Sequence, residues 1–262
     1  EVPFDQVDYR YGDTAIVKDG SGSHAARTMR LAGHLFTITR DEIIDKGKRI
    51  VSHLLECAKA DIEFSDAMFR VSGTDRATGL FDVARAANEV GSDLPDDLKG
   101  PLRATTLIDK PMPAYPNGCH VAEVEIDPET GACKLLFYTA VDDCGRVVNP
   151  MIVDGQVHGG IGQGVGQALW EEVIYDGDTG QLVTGSFMDY VMPRAEDLPM
   201  FTVGHNEVPT PTNRMGAKGG GEGGTTPAPA AIVNAICDAL RGYDVEHIQM
   251  PVTSEKIWRV IR

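Results

Sequence analysis

A single carboxylate stands inside a run of five glycines in the last fifth of the chain. Glu222 follows Gly219–Gly221 and precedes Gly223 and Gly224. Glycine is used where the backbone takes unusual dihedral angles or approaches another group closely. Two threonines that can cap a helix and two prolines that suit its first turn follow at once, and residues 230–240 are predicted as the helix. The pattern therefore predicts a glutamate on a backbone-lined loop at a helix N-terminus, a place that favours anions.

Other interpretations of this glutamate stay open at the level of residue types. A glycine tract also suits a flexible linker, although the immediate start of an apolar helix argues against one. Glu222 could instead cap the helix or pair with Lys218, which lies four residues before it.

A second loop rich in glycine and hydroxyl groups spans Asp19–Thr28. A helical pattern of apolar residues follows it over residues 31–55. A loop that leads into a helix presents backbone amides in a geometry suited to phosphate. For Arg27 and Thr28, the alternative is an ordinary helix start with a solvated arginine.

A third glycine-rich segment begins at Asn149-Pro150, where asparagine is a good helix cap and proline suits the first helical position. Six glycines then occur between Gly155 and Gly166. Each would cost a helix about 1 kcal/mol relative to alanine. So many glycines predict that the helix backbone approaches another backbone or a ligand closely. No strand leads directly into Gly159-x-x-Gly162, so a dinucleotide-binding fingerprint is not indicated.

These segments resemble the molybdenum hydroxylases, the family of the large subunits of xanthine dehydrogenase, aldehyde oxidase and carbon monoxide dehydrogenase. The stretch 216–232 resembles the family's active-site glutamate motif, and 142–160 resembles Asp-x-Gly-x-x-x-Asn-Pro followed by Gly-Gln-x-x-Gly-Gly. Residues 190–193 and 251–258 match Tyr-x-x-Pro and Pro-x-Thr-x-Glu-x-x-Trp. The chain resembles the C-terminal portion of the family's large subunit.

The resemblance extends to the second loop. Gly12-Asp13-Thr14 and Gly22–Thr28 are similar to the Gly-Asp-Thr and Gly-Thr-x-Gly-Ser-Arg-Ser segments of the carbon monoxide dehydrogenase-like branch, the second of which contacts the pterin cofactor in that family. Ala25 and Ala26 stand where glycine and serine are usual.

The resemblance implies a set of roles for individual residues. Glu222 would be the catalytic general base, and no side chain would bind the metal directly, because a pterin dithiolene holds it. The implied cofactor-binding residues are Gly22, Ser23, His24, Ala25, Ala26, Arg27, Thr28, Gln156, Lys218, Gly219 and Gly221. Among these, Gln156 occupies the position of the glutamine that hydrogen-bonds the dithiolene end of the pterin.

The resemblance also implies the reaction and the partners. The chain would be the molybdenum-cofactor-binding part of an oxidoreductase that hydroxylates an aldehyde or an N-heterocyclic carbon using water. The cofactor would be molybdopterin, in its simple form or as the cytosine dinucleotide. FAD and [2Fe–2S] clusters would lie in iron–sulfur and flavin subunits or domains, and the N-terminal part of the molybdenum subunit would be a further partner.

Composition limits the other classes of function. The net charge of −15 argues against nucleic-acid binding and gives no attraction to anionic membranes. No apolar run approaches the length of a membrane span, so we expect a cytoplasmic protein. The five cysteines are scattered without a CxxC pair, which disfavours a zinc or iron–sulfur site. The absence of an initial methionine suggests a fragment or a processed piece.

The expected architecture is a mixed α/β (α+β) chain of two lobes with antiparallel hairpins and packed helices, the second molybdenum-cofactor-binding domain of the family. The lobes are predicted as residues 1–112 and 113–262, with a boundary in the proline cluster at 109–117 and the three glycine-rich segments converging between them. Local patterns predict strands at 7–11, 121–126, 134–142 and 201–207, hairpins at 61–71 and 173–190, and a helix at 80–90.

Two further classes of function compete with this one. The chain could be a non-catalytic fragment that cradles cofactor or contacts a subunit and needs the rest of the large subunit. A phosphate-binding transferase would also suit the glycine-rich loops, but Gly-Lys-Ser/Thr and a clustered acidic metal site are both missing from the sequence.

Overall fold

The computed structural model describes residues 2–17, 20, 22–108 and 112–262, which form five α-helices and two three-stranded sheets. The helices are α1 (Arg27–Leu54), α2 (Leu80–Asn88), α3 (Pro150–Leu169), α4 (Ala228–Ala239) and α5 (Ser254–Ile261). The strands are β1 (Ile62–Ser65), β2 (Met68–Val71), β3 (Ala77–Gly79), β4 (Asn117–Ile126), β5 (Cys133–Asp143) and β6 (Thr202–His205). The mixed α/β class expected from the sequence is confirmed.

The chain divides into two compact units. One contains the described residues of 1–22 and 31–111, and the other contains residues 23–30 and 112–262. The first residues of α1 therefore belong to the second unit. The boundary expected at 109–117 falls partly outside the described residues, because 109–111 are not described, and so do Asp19 and Ser21 of the predicted second loop. None of the described helices combines the length and apolarity needed to cross a membrane.

The first unit is built on an antiparallel sheet in the order β1-β2-β3. The hairpin predicted at 61–71 is confirmed, with Ile62 opposite Val71 and Ser65 opposite Met68. The helix predicted at 80–90 corresponds to α2. Within this unit Gly47 of α1 faces the ring of Phe69 so closely that a Cβ at position 47 would lie 2.3 Å from the Phe69 Cζ atom.

The second unit is built on a sheet in the order β4-β5-β6. The strands β4 and β5 form a long antiparallel hairpin, whereas β6 pairs with β5 in parallel. Helices α3 and α4 bury apolar side chains against this sheet. The buried core includes Leu135, Tyr138, Val157, Ile161, Val165, Leu169, Ile232, Ile236 and Ile257.

Two predicted elements are wrong. Residues 7–11 form no strand; their aromatic side chains contact one another instead, with the rings of Tyr9 and Tyr11 stacked at 5.2 Å. The hairpin predicted at 173–190 is reduced to a single bridge between Tyr175 and Leu182. The turn at 176–180 forms as expected, and backbone hydrogen bonds of 2.8 Å join the Asp176 amide to the Gln181 carbonyl and the Val183 amide to the Ile174 carbonyl. The paired part is therefore shorter than the hairpin predicted from the sequence.

Hydrogen bonds and an ion pair hold the loop before the glycine run against the end of β5. The amide of Lys218 donates to the carbonyl of Cys144 at 2.7 Å, and the carboxylate of Asp143 accepts hydrogen bonds from the amides of Gly145 at 2.8 Å and Val208 at 3.1 Å. The Lys218 ammonium forms an ion pair with the same carboxylate, and each side chain of the pair is only 11% exposed. Lys218 therefore pairs with Asp143.

The protonation of Asp143 follows from these contacts. Burial by itself would raise the pKa of this carboxyl group, but the hydrogen bonds from Lys218, Gly145 and Val208 and the charge of Lys218 outweigh burial and lower it below its ordinary value. A carboxyl group with a lowered pKa in the folded state contributes stability above its unfolded pKa, and that stability is lost as the pH falls through the folded pKa.

We expect Gly47→Ala to destabilise the protein despite the better helix propensity of alanine, because the methyl group would overlap the buried Phe69 ring. Overpacking of this kind costs about 1–3 kcal/mol. Urea denaturation followed by circular dichroism would measure the loss. The double variant Gly47→Ala/Phe69→Leu should recover part of it; no recovery would show that the ring is not the cause.

We expect Lys218→Met to lower the free energy of unfolding by about 3 kcal/mol at pH 7, because it leaves a buried carboxylate without its cation. The difference from the unsubstituted protein should shrink as the pH falls toward the lowered pKa of Asp143, because protonation removes the charge that Lys218 balances. Urea titrations at several pH values would test both points. Lys99→Met removes an exposed pair with Asp96 and should have no measurable effect. A loss that does not depend on pH would contradict the role of Asp143.

Candidate functional site

The loop that leads into α1 has a strained backbone. Ala25 and Ala26 have φ angles of 48° and 50°, in the left-handed region that disfavours residues with a side chain. The hydroxyl groups of Ser23 and Thr28 hydrogen-bond across the turn, and the amide of Arg27 donates to the carbonyl of His24 at 3.1 Å. Left-handed alanines are uncommon, and strained backbone of this kind clusters at functional sites, which makes this turn a candidate for one.

The start of α3 follows the capping pattern expected from its sequence. The side chain of Asn149 accepts a hydrogen bond from the amide of Ile152 at 3.2 Å, and Pro150 occupies the first turn. This cap fixes the first turns of the helix, so that Gln156 in its second turn has a defined position.

The glycines of α3 lie on two sides of the helix. On one side, a Cβ at Gly160 would lie 2.7 Å from the amide nitrogen of Thr225, and a Cβ at Gly164 would lie 2.5 Å from the Ala228 Cβ atom. These glycines allow α3 to pack directly on the glycine run and the start of α4. On the other side, a Cβ added at Gly155 or Gly159 would have no atom from outside the helix within 4 Å.

The second unit brings three separate stretches of the chain together. A Cβ at Gly219 would lie 2.8 Å from the Ala26 Cβ atom. A Cβ at Gly221 would lie 3.6 Å from the Gln156 Oε1 atom and 3.8 Å from the Ala26 Cβ atom. The turn before α1, the second turn of α3 and the glycine run are therefore neighbours.

One cavity of about 400 Å³, here called the Ser23 cavity, lies where these stretches meet. Six of the residues predicted to bind cofactor line it: Ser23, Ala26, Thr28, Gln156, Lys218 and Gly221. The remaining lining residues are Met29, Cys144, Arg146, Val148, Asn149, Ile152, Val153, Ala217 and Gly220. Burial, with the nearby charges of Asp143, Glu207 and Asp142, raises the pKa of the Cys144 thiol, which is therefore protonated at neutral pH.

The other predicted residues do not line this cavity. Gly22, with a φ angle of 75°, ends the stretch assigned to the first unit. His24, Ala25 and Arg27 shape the turn from outside the cavity wall, and Gly219 contacts Ala26.

A second cavity of about 400 Å³, here called the Glu222 cavity, lies between α3 and the glycine run. Its lining consists of Gly155, Gln156, Gly159, Gly160, Gln163, Gly221, Glu222 and Thr225. The two cavities share Gln156 and Gly221. The Glu222 side chain is exposed in this chain, and among the described residues its carboxylate has no hydrogen-bonding or ion-pairing partner.

A buried polar cluster lies behind the glycine run. His120 is 1% exposed and contacts the Asp142 carboxylate at 3.1 Å through Nε2 and the Tyr138 hydroxyl at 2.9 Å through Nδ1. Burial and the charge of Asp142 raise the pKa of Tyr138, so its hydroxyl is protonated at neutral pH. A Cβ at Gly223 would lie 3.5 Å from the Asp142 carboxylate, which places the cluster directly under the residue next to Glu222.

Sequence reasoning missed this cluster and several lining residues. His120 lies opposite Ala140, so Tyr138 and Asp142 are its diagonal neighbours on one face of the β4–β5 hairpin. That register would have revealed the cluster once the hairpin was aligned. Nothing in the sequence indicated a role in the site for Arg146, which lies beside the Asn149 cap, or for Gln163, which lies along α3.

The described residues contain no group of three or more histidine, cysteine, aspartate or glutamate side chains that could hold a metal ion. A metal in either cavity would therefore have to be held by another molecule. The Ser23 cavity, lined by a hydroxyl pair, a carboxamide and glycine backbone together with the apolar side chains of Met29, Val148, Ile152 and Val153, suits an organic ligand that could do so.

Comparison with known proteins identifies the chain. A family model for the molybdopterin cofactor-binding domain matches residues 1–199. The nicotine 6-hydroxylase large subunit of Paenarthrobacter nicotinovorans is 34% identical over all 262 residues, which make up 32% of that protein.

Two solved structures show the same fold. Carbon monoxide dehydrogenase from Oligotropha carboxidovorans superposes with a TM-score of 0.81 at 32% identity, covering 91% of this chain and 29% of the matched chain. Quinoline 2-oxidoreductase from Pseudomonas putida 86 gives a TM-score of 0.79 at 39% identity, with coverages of 92% and 30%.

The chain spans about a third of the length of the curated relatives it matches. The resemblance drawn from the Glu222 motif and the Asn149 segment is confirmed by both kinds of comparison. The chain therefore belongs to the molybdopterin cofactor-binding domain family of molybdenum hydroxylase large subunits.

Proposed function

We propose that this chain forms part of the active site of an oxidoreductase that hydroxylates an aldehyde or an N-heterocyclic carbon using water, with Glu222 as the general base. The observation that carries the proposal is the meeting of three glycine-rich stretches around two cavities that share Gln156 and Gly221. One cavity is lined by six of the proposed cofactor residues, and the other is lined by the proposed base.

The residues of the Ser23 cavity fit a molybdenum-pterin cofactor. Gln156 offers a carboxamide that can donate and accept hydrogen bonds, Ser23 and Thr28 offer hydroxyl groups, and Gly221 presents bare backbone to the cavity. Gly219 lies outside the cavity and lets the glycine run approach Ala26. Lys218 contributes through its position, since its ammonium is engaged by Asp143. The turn from Gly22 to Arg27 holds these groups in place.

When bound, the cofactor supplies the metal and the two-electron redox chemistry. Glu222 provides the acid–base chemistry, because its carboxylate has no partner among the described residues and lines the cavity that adjoins the cofactor residues. A carboxylate in that position would accept the proton of the water-derived oxygen as this oxygen adds to the substrate carbon, and the hydrogen of that carbon would leave with its electron pair to the cofactor. The neighbouring Gly221 and Gly223 let the loop carry this charge without side chains that would block access.

The proposal extends to the surroundings of the chain. The electrons leave through FAD and [2Fe–2S] groups in partner subunits or domains, and the remaining part of the molybdenum subunit completes the site. The cofactor is molybdopterin, in its simple form or as the cytosine dinucleotide, and the complex is cytoplasmic.

The competing proposal is a cradle for cofactor without activity of its own. The exposure of Glu222 favours it, because a working base is normally enclosed with its substrate. Metal analysis and an aldehyde-oxidation assay of this chain alone, beside the assembled enzyme, would separate the two proposals.

We expect Glu222→Gln in the assembled enzyme to lower kcat/KM by about 10²-fold or more, because the amide cannot accept the proton. Molybdenum and pterin content should stay unchanged, since the carboxylate holds neither. Glu246→Gln alters an exposed glutamate outside both cavities and serves as the matched control. Turnover at the normal rate by the Glu222 variant would contradict its role as the base.

We expect Gly219→Ala to lower the molybdenum and pterin content of the assembled enzyme, because the new methyl group would press on Ala26 and separate the loops around the Ser23 cavity. Such overpacking costs about 1–3 kcal/mol. The double variant Gly219→Ala/Ala26→Gly removes the opposing methyl group and should restore the content. Full cofactor content in the single variant would argue against this loop contact as part of the cofactor site.

A further inference from the structure

Asp142 carries a carboxylate into the interior of the second unit. Its side chain is 9% exposed, and the group that hydrogen-bonds it is the His120 imidazole, whose Nε2 atom is 3.1 Å away. The next residue, Asp143, has the Lys218 ammonium as its counter-charge, but no lysine or arginine in the described part of the chain pairs with Asp142. A buried carboxylate without such a cation lowers the stability of a fold. Packing alone therefore does not explain why a carboxylate stands at this position.

The neighbouring strand gives up a side chain to make room for this carboxylate. Gly118 of β4 lies opposite Asp142 of β5, and a Cβ at Gly118 would lie 2.0 Å from the Asp142 Oδ1 atom. Glycine weakens a strand, because it has no side chain to pack. The fold thus accepts both a buried charge and a strand glycine at one place. Residues that break local rules in this way are expected at functional sites.

Two further side chains give the Asp142 carboxylate a single orientation. His120 contacts Asp142 through Nε2 and the Tyr138 hydroxyl, at 2.9 Å, through Nδ1. Burial and the charge of Asp142 raise the pKa of Tyr138, so its hydroxyl keeps its proton and donates it to Nδ1. A neutral imidazole then carries its own proton on Nε2 and donates it to Asp142. The Asp142 main chain is held as well, because its carbonyl accepts a hydrogen bond from the Asn206 amide at 2.9 Å.

The glycine run needs support from outside itself. Hydrogen bonds hold it at its two ends, where the Lys218 amide donates to the Cys144 carbonyl at 2.7 Å and the Thr226 amide donates to the Glu222 carbonyl at 3.1 Å. Within the described part of the chain, the amides of residues 219–225 donate no hydrogen bond. The position of the run between its ends therefore depends on the groups that pack against it.

Glu222 lies between two of these contacts. A Cβ at Gly221, the residue before it, would lie 3.6 Å from the Gln156 Oε1 atom, and a Cβ at Gly223, the residue after it, would lie 3.5 Å from the Asp142 Oδ2 atom. Gln156 is the proposed cofactor contact. Asp142 lies beneath the main chain on the other side of the base and lines neither cavity.

Building on the proposed function, we propose that Asp142 is a positioning residue for the general base and that His120 and Tyr138 hold it in place. The Asp142 carboxylate supports the main chain at Gly223 and so fixes the distance between Glu222 and the reacting atoms. Proton transfer needs a heavy-atom separation of about 2.6–3.2 Å, so a small displacement of the loop slows it. Because Asp142 lines neither cavity, its loss should lower kcat and leave the binding of cofactor and substrate unchanged.

The first test compares two substitutions of Asp142 in the assembled enzyme. Asp142→Ala removes the support beneath Gly223 and should lower kcat per molybdenum by about tenfold or more, with KM changed by less than about twofold. Asp142→Asn keeps the shape of the side chain and an oxygen that accepts from His120, so it should retain at least about a third of kcat. An alanine variant with normal kcat overturns the inference, and so does an asparagine variant as slow as the alanine variant.

The second test locates the loop without relying on turnover. In crystal structures of the assembled enzyme, Asp142→Ala should displace the main chain of residues 222–224 relative to α3 by about 1 Å, and Asp142→Asn should not. Ile257→Val is the matched control for lost stability, because Ile257 is fully buried in the same core but lies on α5. It should lower the melting temperature and leave both kcat and the loop unchanged. An undisplaced loop in Asp142→Ala, or an equal loss of kcat in Ile257→Val, overturns the inference.

A third variant keeps the core intact in case Asp142→Ala does not fold. Tyr138→Phe retains the buried ring and removes only the hydroxyl that donates to His120. It should lower kcat by about threefold, near the lower end for the loss of one hydrogen bond, with the molybdenum content unchanged. A Tyr138→Phe enzyme with normal kcat overturns the inference.

The failure of this inference can be told from the failure of the proposed function. Absence of molybdenum from the purified unsubstituted enzyme, or normal turnover by Glu222→Gln, overturns the proposed function and the inference with it. A molybdenum-containing enzyme that Glu222→Gln inactivates, but in which Asp142→Ala turns over normally, overturns the inference alone.

Discussion

The direct contact of backbone with backbone between α3 and the glycine run is the constraint on which the site depends. A Cβ at Gly224 would lie 2.3 Å from the carbonyl oxygen of Val157, so neither side can carry a side chain where they meet. Because no flexible side chain intervenes, the position of Glu222 relative to Gln156 is set by two main chains. Protein interiors packed this closely have few alternative arrangements.

Signals confined to a few neighbouring residues predicted much of the fold. The Asn149-Pro150 cap, the apolar repeat of α1 and the turn between β4 and β5 each specify one local element, and the structure has each of them. Pairings between distant residues could not be predicted in the same way. The parallel pairing of β6 with β5 has no local signature, and the Lys218–Asp143 ion pair joins residues 75 positions apart.

The same distinction separates the predicted site residues from the missed ones. The motif around Glu222 and the Gly22–Thr28 segment were found through resemblance, which carries spatial information that a single sequence does not contain. Gln163 was missed because its exposure to a cavity depends on the phase of α3 and on what packs against it. Arg146 was missed because its position depends on pairing with a distant segment, through the hydrogen bond of its amide to the Gly216 carbonyl at 3.0 Å. Prediction of the cluster formed by His120, Tyr138 and Asp142 would have required the exact register of β4 against β5, including the register shift at Glu123/Val124. The strand expected at 7–11 failed because alternating residues predict a strand only where a partner strand exists.

The two sides of α3 place unequal limits on how such a protein can change. On the packed side, substitution of Gly160 or Gly164 would disturb the core, so variation there is tied to folding. On the open side, a methyl group at residue 155 or 159 would meet no other described residue and would leave the core contacts intact. Folding therefore restricts residues 160 and 164 of this helix, whereas no contact among the described residues places the same restriction on residues 155 and 159.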